Sequence, residues 1–448
     1  MFTHSEIENI ATAYGSPFYL INKEAFTDNY DSIAKAFKLR YNKFLLAYSY
    51  KTNYIPYLCN IIREKGGYAE VVARLEYDLA LKIGQDPQKI IFNGPVKHYE
   101  DIKFALDNHS IVNLDSWPEV AYINKYAKNY PDKRIKVGIR VNINLSDDKG
   151  VSRIQDSLQV GRFGFSTEKD DMVKLVRALA ENDNVAVNSL HGHTSTTDRG
   201  VWCYKTITET LCNIAAEYWP DTVEYINIGG GIYGYIPPEF RWVEVPTFDD
   251  YAEGICKVLN KNSWAGEHKP HLVLEPGIAM AATALSYITK VISVKRIRGR
   301  SFVTVDGSAF HAKPTLHKHN MPYQIIKRAD RDDTETYSVV GSTCVEKDYL
   351  LTEIKDSKAE VGDYIKIDNA GAYTVVLTPP LINVAPAILV KEGDNYKPVR
   401  RRQRPEDIFS DYLFEKKAAL LKTFENCHSE RTFSPERPKG VERGNEVK

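Results

Sequence analysis

The sequence predicts an α/β fold: a closed (β/α)8 barrel followed by a C-terminal all-β domain. Two observations carry this. Residues 43–277 alternate short β-type runs with helical patterns, and eight such runs stand in this stretch. From about residue 285 the long helical patterns stop and β-rich segments follow one another. Strand–helix alternation implies parallel strands joined by right-handed crossovers, and eight units suit closure into a barrel. An open doubly wound sheet is the alternative arrangement of the same units.

The strand candidates are KFLLAYSYK (43–51), YAEVV (68–72), KIIFNG (89–94), IVNLD (111–115), RIKVGIRVN (134–142), AVNSLHGH (186–193), EYINIGGG (224–231) and HLVLEP (271–276). Most are rich in β-branched and aromatic residues, which fit a pleated surface. Between them IPYLCNIIREKG, YEDIKFALDN, DDMVKLVRALAEN and TFDDYAEGICKVLN read as helices. The later β-rich segments are SYITKVISVKRI, SFVTVDG, YSVVGSTC, GDYIKIDNAGAYTVVL and PAILVKEG, and SPFYLI (16–21) is expected to add a strand to them. The expected organisation is an N-terminal segment over 1–23 that partly joins the β domain, a barrel over 24–284 and a β domain over 285–405. A helical segment over 406–424 and a disordered polar tail over 425–448 complete it.

Composition narrows the class. Lysine plus arginine and aspartate plus glutamate number 59 each in 448 residues. That balance carries no electrostatic footprint for nucleic acid or an anionic membrane, so neither is expected as a partner. No apolar run reaches membrane-spanning length, and the start, MFTHSEIENIATAYG, is too polar for a secretory signal. The six cysteines have neither paired nor metal-knuckle spacing. A reducing compartment, the cytoplasm, is expected. Cys59, Cys203, Cys212 and Cys256 fall in apolar helical patterns and read as core fillers.

Chemistry in such a barrel collects at the C-terminal strand ends. Those ends carry, in order, Lys51, Glu70, Asn93-Gly94, Asp115-Ser116, Arg140, His191 with His193, Gly229-Gly230-Gly231, and Glu275 before Pro276-Gly277. Each has a bland reading: a lysine reaching water, a flexible glycine turn, a core histidine, Arg140 paired with Glu70 or Glu76. The full set favours a site. His191 and His193 share one strand face. Metal ligation would require further ligands at other strand ends, and strands seven and eight offer only glycines and one glutamate. No metal is therefore expected. Pyridoxal phosphate (PLP) suits the inventory better. Lys51 would form its Schiff base, with burial lowering the amine's pKa. The glycine turn would hold the phosphate. His193 would stack on the ring, and Glu275 would keep the ring nitrogen protonated.

The same residues resemble the fold-type III PLP-dependent decarboxylases, which include diaminopimelate, ornithine and arginine decarboxylases. The resemblance runs from about residue 15 to 405. AYSYKTN resembles the Schiff-base lysine motif, YAEVVARLEYDLAL the second-strand motif with Glu70 where aspartate is usual, and IIFNGPVK the third-strand motif. GRFGFS, LHGHTST, INIGGG and LEPG resemble the loop, histidine, phosphate-glycine and ring-nitrogen motifs, with Thr196 at the phosphate. VGSTCVEKD and GDYIKIDNAGAYT resemble the motifs of the proton-donating cysteine, Cys344, and of a tyrosine, Tyr373, that contacts cofactor and substrate. The resemblance implies α-decarboxylation of a small amino acid and a homodimer with shared sites. In that arrangement Cys344 enters the partner subunit's site and protonates the carbanion.

Three departures alter the expected reading of the substrate side chain. Ile278 follows EPG where arginine is usual, and Val345 follows Cys344 where an acid is usual, with Glu346 one place later. Lys313 and His317 stand where arginine and tyrosine are expected after VDG. Asp306, Lys313, His317, Glu346 and Tyr373 are accordingly the candidate substrate contacts. By family frequency meso-diaminopimelate is the expected substrate, giving lysine. Ornithine, lysine, or a glutamyl or citryl derivative are alternatives within the family. A racemase or a non-catalytic PLP-binding protein are alternatives outside it.

Overall fold

The computed structural model describes residues 2–146, 150–154, 160–197, 199–378 and 380–414. Eight parallel strands close into a barrel: Phe44–Ser49, Tyr68–Val71, Ile90–Phe92, Ile111–Leu114, Ile135–Asn142, Val185–His191, Tyr225–Asn227 and His271–Leu274. The last pairs with the first through Leu272–Phe44 and Leu274–Leu46, which closes the ring. The open doubly wound sheet is thereby excluded. A two-residue strand, Phe165–Ser166, adds to the fifth.

Helices follow the strands, beginning with Pro56–Glu64, which opens on its proline where a missing N–H costs nothing. The seventh strand leads to Phe248–Lys261, started by a reciprocal Thr247–Asp250 capping box. The eighth strand is followed only by the short helix Ile278–Ala281. Its place in the outer ring is filled from the N-terminus. Lys23–Lys38, capped by Asn22, packs against both Phe248–Lys261 and Pro56–Glu64. Its Phe37 ring stacks on Phe44 of the first strand at 4.6 Å.

A second sheet of nine strands takes eight of them from Leu285 onward. The thirteen-residue strand Leu285–Ile297 is its spine. One end pairs with Tyr364–Ile367 and with Phe18–Ile21, and the other with Arg300–Val305. Phe18–Ile21 therefore joins this sheet, as expected, lying between Leu285–Ile297 and Ala387–Glu392. A helix not foreseen from the sequence, His4–Tyr14, buries Ile7 and Ile10 against Phe18, Leu20 and Ile288. Each such side chain contributes about 1.5–3 kcal/mol on burial.

Of the helix expected over 406–424, the described residues show one short helix and then turn and loop to 414. Helix Pro405–Phe409 ends after five residues, and Ser410 Oγ bonds back to the Asp407 carbonyl. A serine that satisfies backbone locally competes with helix continuation. The rest of that segment from 415, and the tail over 425–448, lie outside the described residues.

Candidate active site

The run that ends on a lysine is not a strand to its end. The first strand stops at Ser49, and Tyr50–Thr52 forms a 3-10 turn that presents Lys51 to a cavity. Nζ of Lys51 lies 2.5 Å from Oε2 of Glu70 on the second strand. Glu70 is buried and also accepts Ser49 Oγ at 2.5 Å. Burial alone would lower the Lys51 pKa, but Glu70 and Glu275 outweigh it and raise it. The expected lowering by burial is thus overturned: the nearby carboxylates hold the proton on the amine.

A typical barrel interior is filled by branched aliphatic side chains. Here the layer beneath the cavity is polar. Asn93 Nδ2 reaches across the barrel, donating to Glu70 Oε1 at 3.1 Å and Glu275 Oε1 at 2.8 Å. Its own Oδ1 accepts from Asn113 at 2.8 Å. Asn227 donates to Glu275 Oε1 at 2.6 Å. Oε2 of Glu275 lies 3.2 Å from His191 Nε2. Burial would raise the Glu275 pKa, but His191, Lys51 and the Asn227 bond overcome it and keep the carboxyl well below its usual range.

The sixth strand ends at His191, so His193 lies just past it, at the cavity wall. Its Nδ1 accepts the Gly230 N–H at 3.2 Å, as a neutral ring does. Burial, Lys51 and Arg140 push its pKa down to about 3, in agreement. The glycine turn allows this approach: a Cβ on Gly229 would stand 2.6 Å from His193, and one on Gly230 2.0 Å from the Glu275 carbonyl. Gly277 lines the cavity as well, while the Pro276 carbonyl accepts from the Ser49 N–H. Thr196 is buried at the wall, its Oγ1 holding the Arg199 N–H at 3.0 Å.

The cavity, of about 930 Å³, brings Lys51, His193, Thr196, Gly230, Gly231, Glu275, Gly277, Lys313, His317 and Tyr373 together. Tyr373 reaches it from a left-handed backbone, φ 58°, with its N–H on the Thr52 carbonyl. Other candidates sit elsewhere. Arg140 pairs with Asp115 at 3.1 Å, rather than with Glu70 or Glu76, and bonds the His193 carbonyl. It braces loops instead of lining the cavity. Asp306 turns into the second sheet, accepting from Thr289 Oγ1 and the Lys290 N–H, so its carboxylate is not available to the cavity. Cys344 and Glu346 are exposed and do not line this chain's own cavity. Their loop is anchored by buried Asp348, which accepts from Ser308, Ala309 and Thr343.

Sequence reasoning passed over Asn113 and Asn227, and placed Asn93, Asp115 and His191 at the strand ends without giving them a role. Their signal was a polar residue at an inward position of an otherwise apolar strand. Among the described residues no group of three or more His, Cys, Asp or Glu side chains is arranged for a metal ion.

The cavity's donor set fits PLP. It combines an amine, a glycine turn beside a threonine, a neutral imidazole face, and a carboxylate held ionised by His191, Lys51 and Asn227. Comparison with known proteins agrees. Residues 26–282, which span every barrel strand, match the model of the pyridoxal-dependent decarboxylase pyridoxal binding domain. The diaminopimelate decarboxylase of Methanocaldococcus jannaschii is 28% identical over 375 residues, 82% of this chain and 84% of the relative. That of Neisseria meningitidis serogroup B is 27% identical over 414 residues, 90% of this chain and 94% of the relative. The crystal structure of the M. jannaschii diaminopimelate decarboxylase has a TM-score of 0.81 at 24% identity, covering 91% of this chain and 94% of that one. The arginine decarboxylase of Paramecium bursaria Chlorella virus has a TM-score of 0.71 at 21% identity, covering 87% and 100%. These two structures share the fold. The chain belongs to the pyridoxal-dependent decarboxylases and is a PLP-dependent carboxy-lyase.

Proposed function

We propose that the protein removes the α-carboxylate of meso-diaminopimelate to give lysine. The observation that carries this is the shared name of its relatives, diaminopimelate decarboxylase, over most of both chains. Bound in the cavity, PLP supplies the electron sink for loss of CO2. Lys51 is the amine that holds it covalently. Gly229, Gly230, Gly231 and Thr196 receive its phosphate, His193 covers one ring face, and Glu275 holds a proton at the ring nitrogen. Glu70 and Asn93 keep Lys51 and Glu275 in register, and Tyr373 closes on cofactor and substrate. A carboxylate at the ring nitrogen favours the decarboxylase over a racemase.

The working form on this reading is a homodimer in the cytoplasm. The exposed position of Cys344 supports it, because a proton donor outside its own cavity must serve a neighbour's. Cys344 donates the proton that replaces CO2, and Glu346 travels with it. The described cysteines are all free, which agrees with a reducing compartment.

The test is CO2 release by PLP-loaded protein against meso-diaminopimelate, L- and D-lysine, L- and D-ornithine, arginine and glutamate. Release from diaminopimelate with formation of lysine is expected. Turnover of another member of the panel, with diaminopimelate inert, would overturn the substrate.

A further inference from the structure

A bound phosphate needs positive charge as well as N–H groups. A phosphate monoester carries about −1.5 to −2 at neutral pH, and the N–H groups of a glycine turn offer only partial charges. A side chain built on Gly229, Gly230 or Gly231 would first meet His193, the Glu275 carbonyl and Tyr204. None is a cation, because burial keeps His193 neutral. Ile278, just after Gly277, lines the cavity without a charge.

Arg199 stands beside this turn. It is half-buried and lines the cavity. Its backbone is held from both sides: the N–H donates to Thr196 Oγ1 at 3.0 Å, and the carbonyl accepts the Tyr251 hydroxyl at 2.7 Å. Its φ of 47° is left-handed, a conformation that a residue with a Cβ keeps only where its surroundings impose it. The guanidinium lies over the ring of Tyr233, two residues past the turn, at 5.1 Å. Tyr204, whose hydroxyl donates to the Gly230 carbonyl at 3.2 Å, packs edge-on against Tyr251. Burial and Tyr251 raise the Tyr204 pKa, and the Arg199 charge works against them, so that charge is felt at the turn.

The contrast with Arg140 is direct. Arg140 is used up by Asp115 and the His193 carbonyl. Among the described residues the Arg199 guanidinium has no hydrogen bond and no carboxylate partner. Stacking holds it by its face and leaves its N–H edge for a bidentate acceptor. Thr196 accepts from Arg199 and so keeps its hydroxyl hydrogen to donate into the cavity.

We infer that Arg199 is the counter-ion of the cofactor phosphate, pairing with it from the Tyr233 ring on the side of Thr196. This rests on the reading above that the glycine turn and Thr196 receive the phosphate. Arg199 then makes the site select PLP over unphosphorylated pyridoxal and keeps the phosphate dianionic.

The test titrates the full-length protein, freed of cofactor, with PLP and with pyridoxal, followed by visible absorbance. PLP binding should weaken roughly 10- to 100-fold in Arg199→Met and stay within about tenfold of wild type in Arg199→Lys. Pyridoxal binding should be unchanged in both, which also shows that the pocket is intact. In phosphorus NMR of the PLP-loaded proteins, the phosphate should titrate at a higher pH in Arg199→Met than in wild type, because a nearby cation favours the dianion. Equal losses of PLP and pyridoxal, or no loss of either, would overturn the assignment. So would a wild-type phosphate that titrates at the free value of about 6, a result that needs no variant. Thr196→Val tests the underlying reading separately. An unchanged ratio of PLP to pyridoxal affinity in that variant would remove the phosphate from Thr196, and the Arg199→Met ratio would still decide the counter-ion.

Discussion

Nζ of Lys51 and Oε2 of Glu70 stand 2.5 Å apart at the ends of adjacent barrel strands. The carboxylate raises the lysine's pKa against the opposing effect of burial. In the free protein, therefore, the amine that should react is held protonated. Glu70→Gln removes that hold, so the midpoint for PLP loading of the cofactor-free protein should move to lower pH. Following loading by visible absorbance across a pH series measures this. An unmoved midpoint would show that Glu70 does not control the amine.

Asn93 is the bridge between the two carboxylates of the site. Asn93→Ala leaves buried acceptors short of a donor, at a cost of about 1–3 kcal/mol. Urea unfolding should show this loss, and Asn93→Asp should lose more, because a third carboxylate joins Glu70 and Glu275. An Asn93→Asp protein as stable as wild type would contradict the bridge.

Arg140 should matter through Asp115 rather than through the cofactor. Both are buried, 3.1 Å apart, and Asp115 also receives the Gly164 N–H. Arg140→Met strands a buried carboxylate and should cost about 3–5 kcal/mol. Adding Asp115→Asn should restore part of that loss. Simple additivity of the two losses in urea unfolding would show that the pair is not coupled.

Glu76 gives the fold a pH dependence. It is buried, accepts the Val72 N–H at 2.7 Å, and burial pushes its carboxyl up to about 7. A carboxyl whose folded pKa is raised favours the fold fully only below its unfolded value of about 4.3. That contribution fades as pH rises through about 7. Glu76→Gln should therefore lose less Tm than wild type between pH 5 and pH 8, by thermal melts at both. A parallel decline in both proteins would exclude Glu76 as the source.

The barrel was legible because its strands are compact apolar runs set between helical patterns, and strand ends can be read off one by one. Closure was less so. The helix that fills the eighth place, Lys23–Lys38, precedes the first strand, and only the three-dimensional ring reveals the vacancy it fills. The turn at Tyr50–Thr52 was missed because three residues carry no period to distinguish them from a strand's end. The sign of the Lys51 shift could not be read either. Burial was visible in the flanking apolar run, but two carboxylates from strands two and eight decide the balance. Asn93, Asn113 and Asn227 each look like an accident in one strand, and their hydrogen-bonded layer exists only once the strands close.

The most direct test of this account asks where the cofactor attaches. The PLP-loaded protein is reduced with borohydride, digested and mapped by mass spectrometry. The account predicts a phosphopyridoxyl group on the peptide containing Lys51, and none on that peptide in a Lys51→Ala protein treated alike. Attachment at another lysine, or a Lys51→Ala protein that keeps its covalent cofactor, would contradict it.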